Sequence, residues 1–287
     1  MIASLILSAS IAFTASDAHF AFECASNLVA NCTPRDAGTV RGRIAANWIL
    51  DTASAAGLDI RRDVFRATTP YGERTFTNLY CEFVREPSAE WVVVMSHYDT
   101  KPGTACPGAN DGASTTGLLM ALARSIADRG GVPKGNLMIL WTDGEECVRG
   151  YSENDGFWGS RRAADELERR GRRVRAAICL DMLGDRDLKV TVPDNSDSTL
   201  ARISVHAARR AGLGDGFITS IPEEVKDDHL AFMRKGWRAI DFIDFDYGSV
   251  PGRNDWWHTK EDTVDKLSVE SLHASGRFVA EFLNIIL

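Results

Sequence analysis

Two adjacent carboxylates, Glu145 and Glu146, follow the apolar run Leu137-Met138-Ile139-Leu140-Trp141 and an Asp143-Gly144 turn. Neighbouring carboxylates repel, so holding both at a strand end is unfavourable unless a cation or a shared proton sits with them. A solvated loop with two ordinary acids is the plain alternative, because acidic residues mostly lie at the surface. Other reactive residues stand in similar places. The run Trp91 to Met95 delivers Ser96-His97-Tyr98-Asp99, and the run from Ala176 delivers Asp181. Asp111 stands just before a helix-like stretch, and His258 lies in Trp256-Trp257-His258-Thr259. Nitrogen and carboxylate donors drawn from several strand ends are what a zinc ion takes in roughly tetrahedral geometry, with one position left open where the metal is catalytic. Each residue also has a structural role open to it. His97 could be satisfied by a backbone carbonyl, and Asp111 could cap the helix that begins near Ala113. Asp181 could cap a turn before Gly184, and His258 could pack among aromatics. His206 and His273 fall on amphipathic helices and read as surface residues.

The elements that must position these groups follow from periodicity. Residues 41–56 predict an amphipathic helix with Gly57 as its C-cap. Residues 60–67 and 75–83 predict an antiparallel hairpin about Thr69-Pro70-Tyr71-Gly72. The continuous apolar run at 91–95 predicts a strand buried on both faces, and so a sheet covered by helices. A helix over 114–128, a strand over 137–142 and a charged helix within 156–170 come next. Then follow a strand over 176–181, an edge strand at 188–192, a helix over 199–210, a short helix over 227–235, a strand over 239–243 and a closing helix over 269–287. Strands alternate with helices, which argues for an α/β fold: a single three-layer α/β/α domain around a mostly parallel central sheet. Sites in such sheets form beyond the carboxyl ends of the strands.

The bulk numbers fit one large domain. The chain has 287 residues, 44% hydrophobic and 25% charged, as in ordinary globular proteins. A net charge of -7 argues against a nucleic-acid partner. Beyond the N-terminus no apolar run is long enough to span a bilayer, so no membrane attachment of the mature form is expected. Residues 1–15 are small and apolar, with cleavage-like spacing at Thr14-Ala15-Ser16 and Ser16-Asp17-Ala18. They predict a signal peptide over residues 1–18, export to the periplasm or the medium, and one domain over 19–287. A short buried N-terminal helix is the alternative, because no Lys or Arg follows Met1 closely. The six cysteines permit disulfides in an exported protein. Cys24 and Cys32 could close a short loop, Cys106 and Cys147 could brace the site, and Cys179 reads as a buried free thiol.

Five motifs, taken in order, resemble a known family. They are Ser96-His97-Tyr98-Asp99, Gly108-Ala109-Asn110-Asp111, Asp143-Gly144-Glu145-Glu146, Leu180-Asp181-Met182-Leu183-Gly184 and Trp257-His258-Thr259. Together they resemble the M28 family of zinc aminopeptidases and its relatives, the glutaminyl-peptide cyclotransferases, over nearly the whole chain after residue 18. The resemblance implies an α/β/α fold and zinc chemistry on peptide or protein N-termini. The segment 147–158 between Glu146 and Gly159-Ser160 is longer than in the aminopeptidases and is similar to the cyclases. So are Thr69-Pro70-Tyr71-Gly72 with Phe76 and Asn78, and Asp227-Asp228-His229 followed by Phe232 and Gly236.

The cyclase resemblance implies one zinc held by Asp111, Glu146 and His258, with Glu145 as the proton shuttle. It makes Asp181 and Asp227 the partners of Glu145 in a hydrogen-bonded acidic network, and Trp257 a wall of the substrate pocket. Tyr151 stands at that pocket where the animal cyclases carry a tryptophan, and Asp241 stands where they carry a histidine. The implied reaction converts N-terminal Gln to pyroglutamate and releases ammonia. The aminopeptidase resemblance uses nearly the same atoms. Asp111 bridges two zincs, His97 and Asp181 join the ligand set, and Glu145 activates water. A non-catalytic scaffold on this fold would lack Glu145 or a metal ligand, and all of them are present.

Overall fold

Period-two alternation explains the sheet. Along the central strands Val92, Val94, Leu137, Ile139 and Trp141 point into one apolar core, while Trp91, Val93, Met95, Met138 and Leu140 point into another. A sheet apolar on both faces must be covered on both, and it is. The computed structural model describes residues 10–130 and 132–287. In chain order it shows α1 (Ala15–Cys32), α2 (Val40–Ala55), β1 (Ile60–Thr69), β2 (Gly72–Phe83), β3 (Trp91–His97), α3 (Thr115–Asp128), β4 (Asn136–Thr142), α4 (Trp158–Arg169) and β5 (Val174–Asp181). Then come β6 (Val190–Pro193), α5 (Ser198–Arg210), β7 (Ile218–Ile221), α6 (His229–Met233), β8 (Ala239–Ile243) and α7 (Val269–Ile286). The eight strands lie in the order β1-β2-β4-β3-β5-β8-β6-β7. Strands β4, β3, β5 and β8 run parallel at the centre, and the hairpin β1–β2 joins β4 antiparallel. Helices α1, α3, α5 and α7 pack on one another over one face, and α4 and α6 cover the other. The chain is thus one three-layer α/β/α domain, as the alternation of patterns predicts.

Two expectations need correction. The strand near residues 188–192 is not the edge: β6 lies between β8 and β7, and the short β7 ends the sheet. The six cysteines are all free and buried. Cys24 and Cys32 both sit on α1, where eight residues span about 12 Å, beyond disulfide reach. The expected boundary at residue 18 falls inside α1. Thr14 caps that helix in a reciprocal capping box with Asp17, and Ile11 and Phe13 are buried. A Cβ at Gly276 of α7 would come within 2.3 Å of the Phe13 ring, so this glycine gives the ring its seat. Ile11 and Phe13 thus pack against the same core as the helices that follow. The rest of the expected signal stretch, residues 1–9, lies outside the described residues.

Candidate metal centre and active site

Parallel strands bring their carboxyl ends together. His97 ends β3 level with Thr142, which ends β4, and Asp181 ends β5. The turns beyond them are held by buried carboxylates. Asp99 accepts from the backbone N–H groups of Gly144, Glu145 and Glu146 at 2.9, 3.2 and 3.2 Å, so both adjacent glutamates are fixed from beneath. Gly144 has φ +82°, and a Cβ there would meet Phe76 at 2.8 Å and Trp158 at 3.0 Å. The Asp143-Gly144 turn thus demands glycine on both counts.

Asp111 stands on the bent segment ahead of α3. Asp262 holds that segment, accepting from the N–H groups of Asn110 at 2.7 Å and Asp111 at 3.2 Å and from the Tyr247 hydroxyl at 2.7 Å. Arg35 holds it from the other side. Its guanidinium is fully buried and donates to the carbonyls of Tyr98 (2.5 Å), Pro107 (2.6 Å), Gly108 (2.5 Å) and Asp111 (3.3 Å). His258 has φ +58°, a strained backbone for a residue with a side chain, and Trp257 stacks on its ring at 3.8 Å.

Two groups of donors meet at Asp111. In the first, His258 Nε2 lies 3.2 Å from Asp111 Oδ2 and 2.8 Å from Glu146 Oε1. In the second, His97 Nε2 lies 3.1 Å from Asp111 Oδ1 and 3.2 Å from Asp181 Oδ1. Within each group the donor atoms lie no more than 4.8 Å apart, close enough to share a metal ion. The first group passes a stricter test. Asp111 Oδ2 is buried and accepts no hydrogen bond, although it faces His258 and Glu146. A buried carboxylate oxygen without a partner is costly, and a cation among these three donors would relieve it. Lys101 closes the outer side, with Nζ 3.3 Å from Glu146 Oε2 and 3.1 Å from Cys147 Sγ. Burial opposes a charge on His258, but Asp111 and Glu146 outweigh it and raise its pKa to about 9.

Glu145 turns away from this set. It is buried, and its Oε2 accepts from the Tyr151 hydroxyl at 3.3 Å. Burial, with the charges of Glu146 and Asp227, pushes its carboxyl well above the usual range. Burial and neighbouring carboxylates raise Asp181 to about 6, and Asp227 and Asp228 to about 7. Asp227 accepts from the Cys179 thiol at 3.2 Å and from the Asp228 N–H at 2.5 Å. Asp241 lies behind them with both carboxylate oxygens buried and unpartnered, and burial and then Asp227 push it well up.

Asp111, Glu145, Glu146, Tyr151, Asp181, Asp227, Trp257 and His258 all line one pocket of about 190 Å³. His97 lies beneath it, against Asp111 and Asp181. His206 and His273 lie on α5 and α7, outside this pocket. The bonds seen at Asp181 and Asp227 run to His97, Cys179 and Asp228, and the charge of Asp227 acts on Glu145. Arg35 and Asp262 support the site and were not singled out from the sequence. Asp262, just past Trp257-His258-Thr259, had a signal in its position; Arg35 had none.

Residues 78–283 match the model described as peptidase family M28. The chain is 27% identical over 280 residues to a glutaminyl-peptide cyclotransferase-like protein of Bos taurus, covering 88% of this chain and 71% of that protein. It is 29% identical over 276 residues to a glutaminyl-peptide cyclotransferase of Bothrops jararaca, covering 80% and 72%. The solved structure of a glutaminyl cyclase from an Acidobacteriales bacterium superposes with a TM-score of 0.86 at 28% identity, covering 100% of this chain and 98% of that one.

Proposed function

The chain belongs to peptidase family M28, and within that family we propose that it is a zinc-dependent glutaminyl-peptide cyclotransferase, closing N-terminal Gln to pyroglutamate with release of ammonia. One observation carries this reading. Glu145 stands beside the donor set but outside it, buried among other acids and capped by Tyr151. A carboxyl with a raised pKa suits a group that must both take and return a proton. The relatives named as cyclotransferases add their weight.

Asp111, Glu146 and His258 are the residues that would hold the zinc. Held there, it would supply Lewis-acid polarisation of the γ-carboxamide carbonyl of the substrate. Glu145 takes a proton from the α-amine as its nitrogen attacks the side-chain carbonyl carbon, then donates a proton to the leaving ammonia. Burial and then Asp181 raise Asp227 to about 7, so it is protonated in part at neutral pH, which limits the negative charge around Glu145. Trp257 and Phe245 meet edge to face at 5.1 Å and wall the pocket, keeping water from competing with the internal amine.

The reading takes one zinc. Both nitrogens of His97 face acceptors: Nε2 faces Asp111 and Asp181, and Nδ1 lies 3.2 Å from the Asp99 carbonyl. With one zinc the ring is protonated and donates twice; with a second, Nδ1 would keep its bond to the carbonyl and Nε2 would turn its lone pair to the metal, as ligating histidines do. Hydrolysis by a two-metal aminopeptidase is the second reading, favoured by the shared Asp111 carboxylate between the two groups. Mass spectrometry of a Gln-initiated and a Leu-initiated peptide after incubation separates the two. Loss of ammonia from the intact Gln peptide supports cyclisation. Release of a free first residue from either peptide overturns it.

Export of the chain is also proposed, on the apolar character of residues 1–15. Mass analysis of the N-terminus of protein recovered outside the cytoplasm checks it. A mature chain starting at residue 19 would contradict the packing of Ile11 and Phe13.

A further inference from the structure

The reacting pocket is small. Its volume of about 190 Å³ falls below the ~300–1,000 Å³ usual for a site that encloses a whole ligand. It has room for one residue, and the rest of a peptide substrate must leave it somewhere. Beside it runs a groove of about 770 Å³, and Glu224, Val225 and Phe245 line both.

The groove exists because the sheet outruns its cover. Helix α6 packs on β5 and β8, and α4 on β2, but the groove lies over β6 and β7, at the far end of the sheet. Along these strands Val190, Val192 and Ile218 are buried in the core. The alternate residues Thr191, Thr219 and Ile221 face the groove, as period two requires. Thr219 is exposed and Ile221 half-buried. β7 is also the edge strand, paired only with β6, so its outer backbone groups are open to an added strand. Glu223 and Glu224 sit exposed on the rim, and neither carboxylate has an ion-pair partner among the described residues. Lys189, the groove's own cation, is already paired with Asp246.

We propose that this groove binds the extended part of the peptide substrate, the residues after the reacting N-terminal one, and that it prefers a cationic side chain opposite Glu223 and Glu224. The inference rests on the cyclotransferase reading and names the substrate class of that site: peptides of four or more residues that carry Lys or Arg after the first few positions. Ordering a flexible peptide costs binding energy, and the apolar floor and open strand edge supply the offsetting contacts.

The test compares kcat/KM for three Gln-initiated substrates on the full chain loaded with zinc: a dipeptide amide, a pentapeptide with Lys at its fourth position, and the same pentapeptide with Glu there. The expected order is Lys pentapeptide above dipeptide by at least about tenfold, with the Glu pentapeptide well below the Lys one. Thr219→Trp fills the groove and should bring the Lys pentapeptide down to the dipeptide value while leaving dipeptide turnover unchanged, which also shows that the variant is folded. Glu223→Lys leaves one charge of each sign on the rim and should remove the difference between the two pentapeptides. Equal kcat/KM for all three substrates in the unaltered protein, or a length effect that survives Thr219→Trp, overturns the groove proposal and leaves the functional reading standing. Failure of the unaltered protein to cyclise even the dipeptide overturns both. Sedimentation velocity covers the other occupant. A dimer that Thr219→Trp dissociates would assign the face to a second copy of the chain and sink the proposal.

Discussion

Asp111 and Glu146 face His258 at 3.2 and 2.8 Å, and Lys101 stands behind Glu146 at 3.3 Å. Asp227, on the wall of the same pocket, and Asp228 and Asp241, buried behind it, have the Cys179 thiol, the Thr142 hydroxyl and one another for company. Both groups are buried, and both bring carboxylates closer than their charges tolerate. The first group has cations against it, and they decide the state of Asp111: burial works against its ionisation, yet His258 and His97 hold its carboxyl far below the ordinary range, while burial and then Asp111 push Glu146 up against the pull of His258 and Lys101. The second group is neutralised by protons: burial lifts Asp227 and Asp228 to about 7 and Asp241 well above the ordinary range. Glu145 stands at the seam, next to Glu146 in sequence but surrounded like Asp227. The contrast teaches how two adjacent glutamates acquire different work. The backbone, pinned by Asp99, sends one side chain to each group.

The comparison breaks most visibly on the cation side. Asp111→Asn removes a charge common to both donor groups. Zinc content, read by elemental analysis after gel filtration without chelator, should fall to background, and activity should go with it. Full zinc retention would show that these acids do not hold the metal. On the proton side, Glu145→Gln should keep its zinc and lose kcat by about 10²–10⁴-fold, the usual range for a lost general acid–base. That is about 3–5 kcal/mol in the barrier. Zinc retained with full activity would end the shuttle role.

Arg35 tests whether the cation side depends on its scaffold. Arg35→Met leaves four carbonyl acceptors, on Tyr98, Pro107, Gly108 and Asp111, without their donor. The expected loss is about 3–5 kcal/mol of stability by urea unfolding, together with faster zinc release to a chelator. Arg35→Lys should recover part of the stability, because an ammonium offers three donors rather than five. If Arg35→Met unfolded and released zinc like the unaltered protein, the loop that presents Asp111 would be held by Asp262 alone.

Asp241 carries the contrast into pH. Its folded pKa is raised well above the ordinary 3.8 by burial and then by Asp227. A carboxyl with a raised folded pKa lets the protein keep its full stability below the unfolded pKa, and that stability is lost as pH rises through the folded value. Asp241→Asn cannot ionise and escapes that loss. Relative to the unaltered protein the variant should therefore gain stability as pH increases from about 4. The gain should be of the order of 1–3 kcal/mol, the cost of an unsatisfied buried polar group. Parallel stability curves from pH 4 to 8 would mean that Asp241 is not held neutral, and the division between cation and proton would fail on that side.

How much of this was legible in the sequence depended on whether a feature was local. Strands β3, β4 and β5 were readable because each is a short apolar run with a polar stop, and the stops named the donors His97, Glu146 and Asp181. Segment 147–158 was readable as unusual only by its length. The edge strand β7 was not readable: Ile218-Thr219-Ser220-Ile221 is four residues with one buried side chain, too little for a period to show. Arg35 was invisible for another reason. All its partners are backbone carbonyls brought from 63 to 76 residues away, and a carbonyl leaves no mark in a sequence. The cysteines misled because spacing says nothing about whether two side chains share a helix. The apolar N-terminus reads two ways because the composition that exports a chain also buries one, and Phe13 against Gly276 is a packing match no composition reveals.

Tyr151 gives the finest probe of the seam. The Asp155 carboxylate ties down the N–H groups of Val148, Arg149 and Gly150 at 2.6, 2.8 and 3.1 Å, and the Tyr151 ring stacks on Phe157 at 4.5 Å. The hydroxyl is thereby delivered to Glu145 at 3.3 Å, a long bond for two oxygens. A bond of that length to an ionised carboxylate favours the ionised form only weakly. Tyr151→Phe keeps the ring and the stack and removes that bond. It should lower kcat/KM severalfold at most, about 1 kcal/mol, and move the acid limb of the pH–rate profile upward, because Glu145 loses a donor that favours its charge. A severalfold loss with an unmoved acid limb would place Tyr151 against the substrate instead of Glu145. A loss as large as that of Glu145→Gln would make the tyrosine, not the glutamate, the group that handles the proton.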